Sequence, residues 1–415
     1  MFGAGMLSTL IVLLIVSVIA KENALFLLAL ALLVAAVLSK LWERHCLTGV
    51  EYRRSLSQHQ VAYGEELQLE IEVANRKLLP LSWLEIEDEI PRELAPTKGK
   101  VYASHKPDRA ILANLLALRP YEWVRRRYAI PCLHRGEHFF GPVGLRSGDL
   151  FGFVSAERTL EFSESVVVFP RVVPLTKLGL PARQPLGDLR AQSWIFEDPS
   201  RVAGAREYQP GDSLRRIHWP ASVRTQQLQS RVYEATTSHK LMIFLNLSTA
   251  ELAWSFGYDP DILELGITTA ASIANWGLEL GYQVGLFTTG LHRGRREDVI
   301  VDVGGDPGQW ERILVALGRL QPVSTMTFQS LLDRYSHRLP FGATVIAVTA
   351  AIPPPVGAAL QGLRARGHAI TAVLTGRMSV GASLAGITVR QVGPPEAWKE
   401  MPALSLSNRA AASVG

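Results

Sequence analysis

Leu241-Met242-Ile243-Phe244-Leu245 is an unbroken apolar run, and Asn246-Leu247-Ser248-Thr249-Ala250 follows it directly. A run that short, apolar at every position, reads as a strand buried on both faces inside a parallel sheet. Downstream the pattern alternates. Asp261 to Leu280 places Ile262, Leu265, Ile273 and Trp276 at helical spacing, and Val284 to Phe287 is a second strand. Trp310 to Leu320 reads as a helix, Ala343 to Val348 as a strand, Val356 to Arg366 as a helix and Ala369 to Leu374 as a strand. Ile387 to Val392 is the last strand. Strand and helix in turn predict a doubly wound α/β domain over residues 238–395. The Ala/Ser-rich end, from Ser405, predicts a flexible tail within 396–415.

Upstream of that domain, residues 176–237 hold a Gly/Pro-rich linker, Leu178 to Asp188, and then the densest chemistry of the chain. Arg206 to Arg224 packs four arginines and two large aromatics into 19 positions. Pro210-Gly211-Asp212 signals a turn, with Asp212 or Ser213 free to cap one helical turn over Ser213 to Ile217. Arg206, Arg215, Arg216 and Arg224 carry rigid donor forks suited to carboxylate or phosphate. Tyr208 and Trp219 offer apolar faces with one polar atom each. Leu228 to Glu234 alternates and predicts a strand.

Residues 46–175 change to a period of two. Glu66 to Val73 alternates polar and apolar, the pattern of a half-buried strand. Asn75-Arg76-Lys77 is a turn, and Pro80 to Ile86, Ile111 to Leu118, Arg125 to Pro131 and Val166 to Phe169 predict further strands. Short strands with regular turn signals predict a β-sandwich-like module. Arg125-Arg126-Arg127 reads as one solvated strand face, and His134 and His138 lack the acidic or Cys partners of a metal site.

Residues 1–45 are apolar. Met6 to Ala20 and Ala24 to Leu38 are separated only by Lys21-Glu22-Asn23. Each uncharged stretch is about 17 to 20 residues, the short end for a spanning helix. The pair predicts a transmembrane helical hairpin, with residues 6–38 in the bilayer. Lys40, Arg44, Arg53 and Arg54 follow it, so the positive-inside rule places the soluble part in the cytoplasm, on an inner or plasma membrane. Trp42 and Tyr52 either lie at the interface or pack as ordinary aromatics.

The net charge of +5 over 415 residues is too small for a dedicated nucleic-acid binder. Cys46 and Cys132 read as free buried thiols. No Walker loop, dinucleotide fingerprint or nucleophile elbow is present, and Ser222 near His218 is not one. His292, Arg293, Gly294, Arg295 and Arg296 form a basic turn, read as a solvated hairpin tip.

Arg206, Tyr208, Pro210-Gly211-Asp212, Arg215, Ile217, Trp219 and Arg224 resemble the signature of the DUF58 family of bacterial and archaeal membrane-associated proteins. The Asn75 turn, Arg135-Gly136 and Asp149-Leu150-Phe151-Gly152 agree with it in order. The resemblance implies a C-terminal domain similar to von Willebrand factor A domains, which hold a divalent metal through Asp-x-Ser-x-Ser and later Thr and Asp residues. At the matching positions stand Asn246, Ser248 and Ala250, with Thr349 after the later strand. Carboxylates supply most of the charge compensation for hard cations. The degenerate set therefore predicts no bound Mg²⁺ and no other cofactor. The resemblance also implies a MoxR-type AAA+ ATPase as partner. Three readings follow: a membrane-anchored adaptor without enzymatic activity, an anion or nucleic-acid binder acting through the arginines, and a hydrolase. Within the first, Gly211 and Asp212 shape a turn whose arginines and aromatics either face a partner or clamp the β module to the α/β sheet.

Overall fold

The computed structural model describes residues 4–19, 23–149, 154–161, 163–175, 197–209, 217–235, 240–249, 258–294, 297–324, 326–340, 342–376 and 384–408. The chain divides into two units, Met1–Phe169 and Pro170–Gly415.

The first unit begins with α1 (Ala4–Ile19) and α2 (Asn23–His45). The two pack together, with Ala29 and Ala36 of α2 fully buried. Leu27, Leu28, Leu32, Val34, Val37 and Leu38 of α2 are exposed. A helix apolar all round, with its leucines uncovered, belongs in lipid or against another protein. α2 is long and apolar enough to cross a membrane; the apolar stretch of α1, Ser8–Ser17, is shorter.

The β module follows as β1 (Val50–Leu56), β2 (Gln60–Val61), β3 (Glu66–Asn75), β4 (Leu81–Pro91), β5 (Lys100–Ala103), β6 (Arg109–Leu118), β7 (Trp123–Pro131), β8 (Gly136–Phe140), β9 (Val143–Gly148), β10 (Ser155–Leu160) and β11 (Glu164–Val168). They form three sheets, β1-β3-β7, β10-β9-β4-β6-β5 and β2-β11-β8. The alternation in β3 has the expected effect: Leu67, Leu69, Ile71 and Val73 enter one core with Leu84, Ile86 and Ile90 of β4. Outward, Arg125 and Arg127 of β7 pair with Glu70 and Glu72 of β3. Tyr52 is not interfacial: it is 5% exposed, and its hydroxyl donates to Asp88 Oδ2 at 2.8 Å. Asp149 joins the module to α2, because Ser39 Oγ donates to Asp149 Oδ2 at 3.1 Å while Val154 N–H donates to Asp149 Oδ1 at 3.0 Å.

The second unit opens with a hairpin, β12 (Glu197–Glu207) and β13 (Gln229–Ala235), carrying α3 (Trp219–Thr225) between its strands. The α/β part comprises β14 (Lys240–Leu245), α4 (Pro260–Glu279), β15 (Gln283–Thr288), β16 (Gly290–His292), β17 (Ile300–Gly304), α5 (Gln309–Gly318), β18 (Leu320–Ser324), α6 (Phe328–Tyr335), β19 (Thr344–Thr349), α7 (Pro354–Ala365), β20 (Ala369–Leu374), β21 (Thr388–Gln391) and β22 (Ser407–Asn408). Its main sheet has the order β17-β15-β14-β19-β20-β21-β22, parallel except at the two edge strands. Met242 and Phe244 pack with Leu331 and Leu332 of α6 and Leu360 and Leu363 of α7. The alternate residues meet α4: a Cβ at Gly277 would stand 2.8 Å from Leu241 Cδ2, so glycine permits this approach of helix to sheet.

Several expectations change. Residues 197–207 form a strand where none was expected, and the expected linker Leu178–Asp188 lies outside the described residues. The basic turn is not the tip of a hairpin between successive strands, because β16 pairs with β18 while β17 pairs with β15; Arg295 and Arg296 lie outside the described residues. Residues 396–408 are not a flexible tail. Trp398, Leu404 and Leu406 are buried, Trp398 Nε1 donates to Asp261 Oδ1 at 3.0 Å, and β22 extends the sheet. Residues 409–415 lie outside the described residues.

Burial pushes the imidazoles of His138 and His368 below the ordinary histidine value. Their folded pKa values are depressed, so the unfolded chain takes up protons first as the pH falls. The stability they contribute is complete above about pH 6.5 and is lost on acidification through the folded values. The melting temperature is therefore expected to fall between neutral and mildly acidic pH, and His138→Gln to flatten part of that slope.

Candidate functional site

In the parallel sheet the chain passes from β14 outward to β15, then crosses back to β19 on the other side of β14. Connections that leave neighbouring strands in opposite directions open a crevice at their carboxyl ends. Asn246 follows β14 there, and Thr349 ends β19. Asn246 Nδ2 donates to Thr349 Oγ1 at 3.0 Å, and Asn246 Oδ1 accepts from Ser248 N–H at 3.1 Å. Thr349 Oγ1 donates in turn to Ala351 O at 2.9 Å. Beside them, Thr289 Oγ1 accepts from Leu247 N–H at 3.0 Å. Asp259 spends its Oδ1 on the N–H groups of Asp261 and Ile262, at the start of α4.

The structure thus brings Asn246, Ser248 and Thr349 together, while Ala250 lies outside the described residues. All three side chains are neutral, and those of Asn246 and Thr349 are already bonded to one another, a set that does not fit a hard divalent cation. Among the described residues there is no group of three or more His, Cys, Asp or Glu placed to hold a metal ion. Calorimetric titration with Mg²⁺ is expected to give no micromolar signal, and such a signal would overturn the fit argument. Asn246→Asp is expected to cost about 1 kcal/mol, the worth of the amide donation that Thr349 loses.

The arginine segment divides across the hairpin. Gly211, Asp212, Arg215 and Arg216 lie outside the described residues, as do Ser213 to Leu214. The helix expected to end at Ile217 begins later: Ile217 bridges to Ser230, and α3 starts at Trp219. Its cap is His218, whose Nδ1 accepts from Ala221 N–H at 3.1 Å, and Gln226 ends it with a φ of 56°. Ser222 Oγ donates to the His218 carbonyl at 3.1 Å and accepts from Gln229 N–H at 2.8 Å. Both groups are spent on fixing α3 against β13, so no nucleophile–base pair forms.

Arg206 and Arg224 are exposed and Tyr208 is half-buried. Trp219 is 62% exposed and Val223 77% exposed. Four residues apart, they share one face of α3, and exposed Leu228 follows the turn after it. Val223 was not among the expected site residues; its signal was its spacing from Trp219, legible once α3 is known to start there, while Leu228 was read only as the start of a strand.

The uncharacterized protein YeaD of Bacillus subtilis (strain 168) is 25% identical over 245 residues, covering 58% of this chain and 56% of YeaD. The chain thus spans little more than half the length of that curated relative. Solved structures overlap 29% of the chain. They include a di-metal-bound CARDB domain from Pyrococcus furiosus (12% identity, 84% of that chain, TM-score 0.18) and the sporulation control protein Spo0M of Bacillus subtilis (14%, 50%, 0.18). A β-glucosidase from Listeria innocua in complex with isofagomine also overlaps (14%, 16%, 0.19). At such TM-scores these likenesses carry no argument. Residues 204–376, from the hairpin of the arginine segment through the core strands of the sheet, match the family DUF58, described as a protein of unknown function.

Proposed function

We propose that the chain is a membrane-anchored interaction protein whose second unit recruits a partner through the hairpin bearing α3. Both apolar helices hold it in an inner or plasma membrane, and the basic residues after α2 place the two units in the cytoplasm. The observation that carries the reading is the exposure of Trp219 and Val223, 62% and 77%, on one face of α3. Tryptophan and arginine dominate the energetics of protein interfaces; here Arg224 follows Val223 on α3, and Arg206 on β12 is exposed as well. In this reading the α/β part acts as a von Willebrand factor A-like domain without a divalent ion, and its partner is a MoxR-type AAA+ ATPase. Among the described residues Ser222 and His218 are committed to backbone groups, which favours an adaptor over a hydrolase.

The test is capture of that ATPase by the full chain in detergent. Wild type is expected to retain it, and Trp219→Ala to lose it at unchanged melting temperature. Retention by Trp219→Ala removes α3 from the interface. Loss of binding together with a lowered melting temperature supports the clamp instead. Release of either protein by RNA or polyphosphate would favour an anion-binding role for Arg206 and Arg224.

A further inference from the structure

The end of the β module that adjoins α2 carries three uncovered apolar side chains. Leu78, in the β3–β4 loop, is 76% exposed; Tyr121, in the β6–β7 turn, is 65% exposed; Trp123, opening β7, is 60% exposed. Hydrogen bonds fix where they lie. Lys77 Nζ donates to the carbonyls of Cys46 and Thr48, and Arg76 N–H donates to Gly49 O at 2.7 Å, which sets the Leu78 loop against the residues that leave α2. Tyr121 N–H donates to Lys77 O at 3.3 Å, so the Tyr121 turn lies beside that loop. Asn75 Nδ2 bonds Leu79 O and Arg119 O at 2.9 and 3.0 Å and locks the two turns together.

Tyr121 is unusual for a turn. Its φ is 56°, in the left-handed region that a bulky side chain enters at a cost. Asparagine or glycine would meet the backbone requirement without strain. A large exposed aromatic held there suits a surface that is not simply water.

Next to these turns an apolar groove of about 690 Å³ is lined by Leu38, Leu41 and Trp42 of α2 and by Leu79. It continues the apolar surface of α2 onto the β module. Arg44 and Arg119 are exposed around the same end, where Arg76 pairs with Glu51. Tyrosine and tryptophan prefer the level of the lipid headgroups, and basic residues prefer anionic ones.

We propose that this end of the β module is a lipid-facing surface: Leu78 and Tyr121 insert at the bilayer interface, and the groove along α2 accepts the upper acyl chain of an anionic phospholipid. The proposal rests on α2 lying in the membrane. It makes the module a body held flat on the bilayer rather than one tethered by a free stalk.

The test uses the full chain in vesicles of phosphatidylcholine and phosphatidylglycerol, with an environment-sensitive dye on Leu78→Cys. Cys46 and Cys132 are buried and leave the introduced thiol as the labelling site. Dyes on Tyr102→Cys and Leu28→Cys are the comparisons. Tyr102 pairs with Ile111, toward the opposite end of β6 from Leu118. The Leu78 dye is expected to emit to the blue of the Tyr102 dye and to lose most of its intensity to nitroxide placed near the lipid headgroup. The Leu28 dye should be quenched by nitroxide deep in the acyl region. A quenched Leu28 dye with Leu78 emission equal to that of Tyr102 overturns the proposal and leaves the anchor intact. An unquenched Leu28 dye overturns both.

Discussion

Asp88→Ala is expected to destabilise the β module by about 3 to 5 kcal/mol, because it leaves a buried guanidinium without its counter-charge. Arg54 and Asp88 side chains are 1% and 0% exposed, and Arg54 Nη1 meets Asp88 Oδ1 at 2.6 Å. Glu164 lies 3.1 Å from Arg54 Nε but is partly solvated, so it screens Arg54 only in part. Arg54 Nη2 already has no partner among the described residues, which leaves no slack in the cluster. Burial, and then the Asp88 carboxylate, push the Tyr52 phenol well above its ordinary value, so Tyr52 stays a donor. With Asp88 removed, that donor is stranded as well. A melting decrease on the order of 10 °C follows for a unit of this size. Replacing the cluster together, by Tyr52→Phe, Arg54→Met and Asp88→Leu, is expected to recover most of the loss, since a well-packed apolar set often equals a buried ion pair. An unchanged melt in Asp88→Ala would mean that water reaches the cluster.

Trp219→Ala is expected to weaken partner binding by about 2 kcal/mol or more, roughly a thirtyfold loss of affinity. The same change should barely alter stability. A side chain 62% exposed contributes little packing energy to its own fold, and substitutions at such sites usually stay within about 0.5 kcal/mol. Val223→Ala should act in the same direction and less strongly, since valine buries less surface. The contrast between the two readouts separates a recognition surface from a structural one. A clamp would shift the melt, whereas a docking face shifts only the affinity.

What the sequence made legible follows the strength of its periods. In β3 the strict alternation from Glu66 matches the side chains that enter the core. Leu241 to Leu245 lies in the interior of the parallel sheet because nothing polar interrupts it. β12 escaped because Pro199 and Gly204 sit inside it, and its stability comes from pairing with β13 rather than from its own pattern. β16, β17 and β18 escaped because strands this short carry too few apolar positions to set a period. The link between Ser39 and Asp149 joins residues 110 apart, and no local signal encodes such a pair. At the switch point, the neutral Asn246 directly after the strand was readable. The use to which the amide is put, bonding Thr349 and Ser248, required the strand order.

Whether α3 faces a partner can be read by photo-crosslinking from position 219. A photoreactive phenylalanine analogue replaces Trp219 in the full chain, and the adducts formed in intact membranes are identified. An adduct with an AAA+ ATPase is expected, and it should be lost when Val223→Glu places a charge on the same face of α3. Adducts confined to residues 46–175 of the chain itself would contradict it and make the arginine segment an internal clamp.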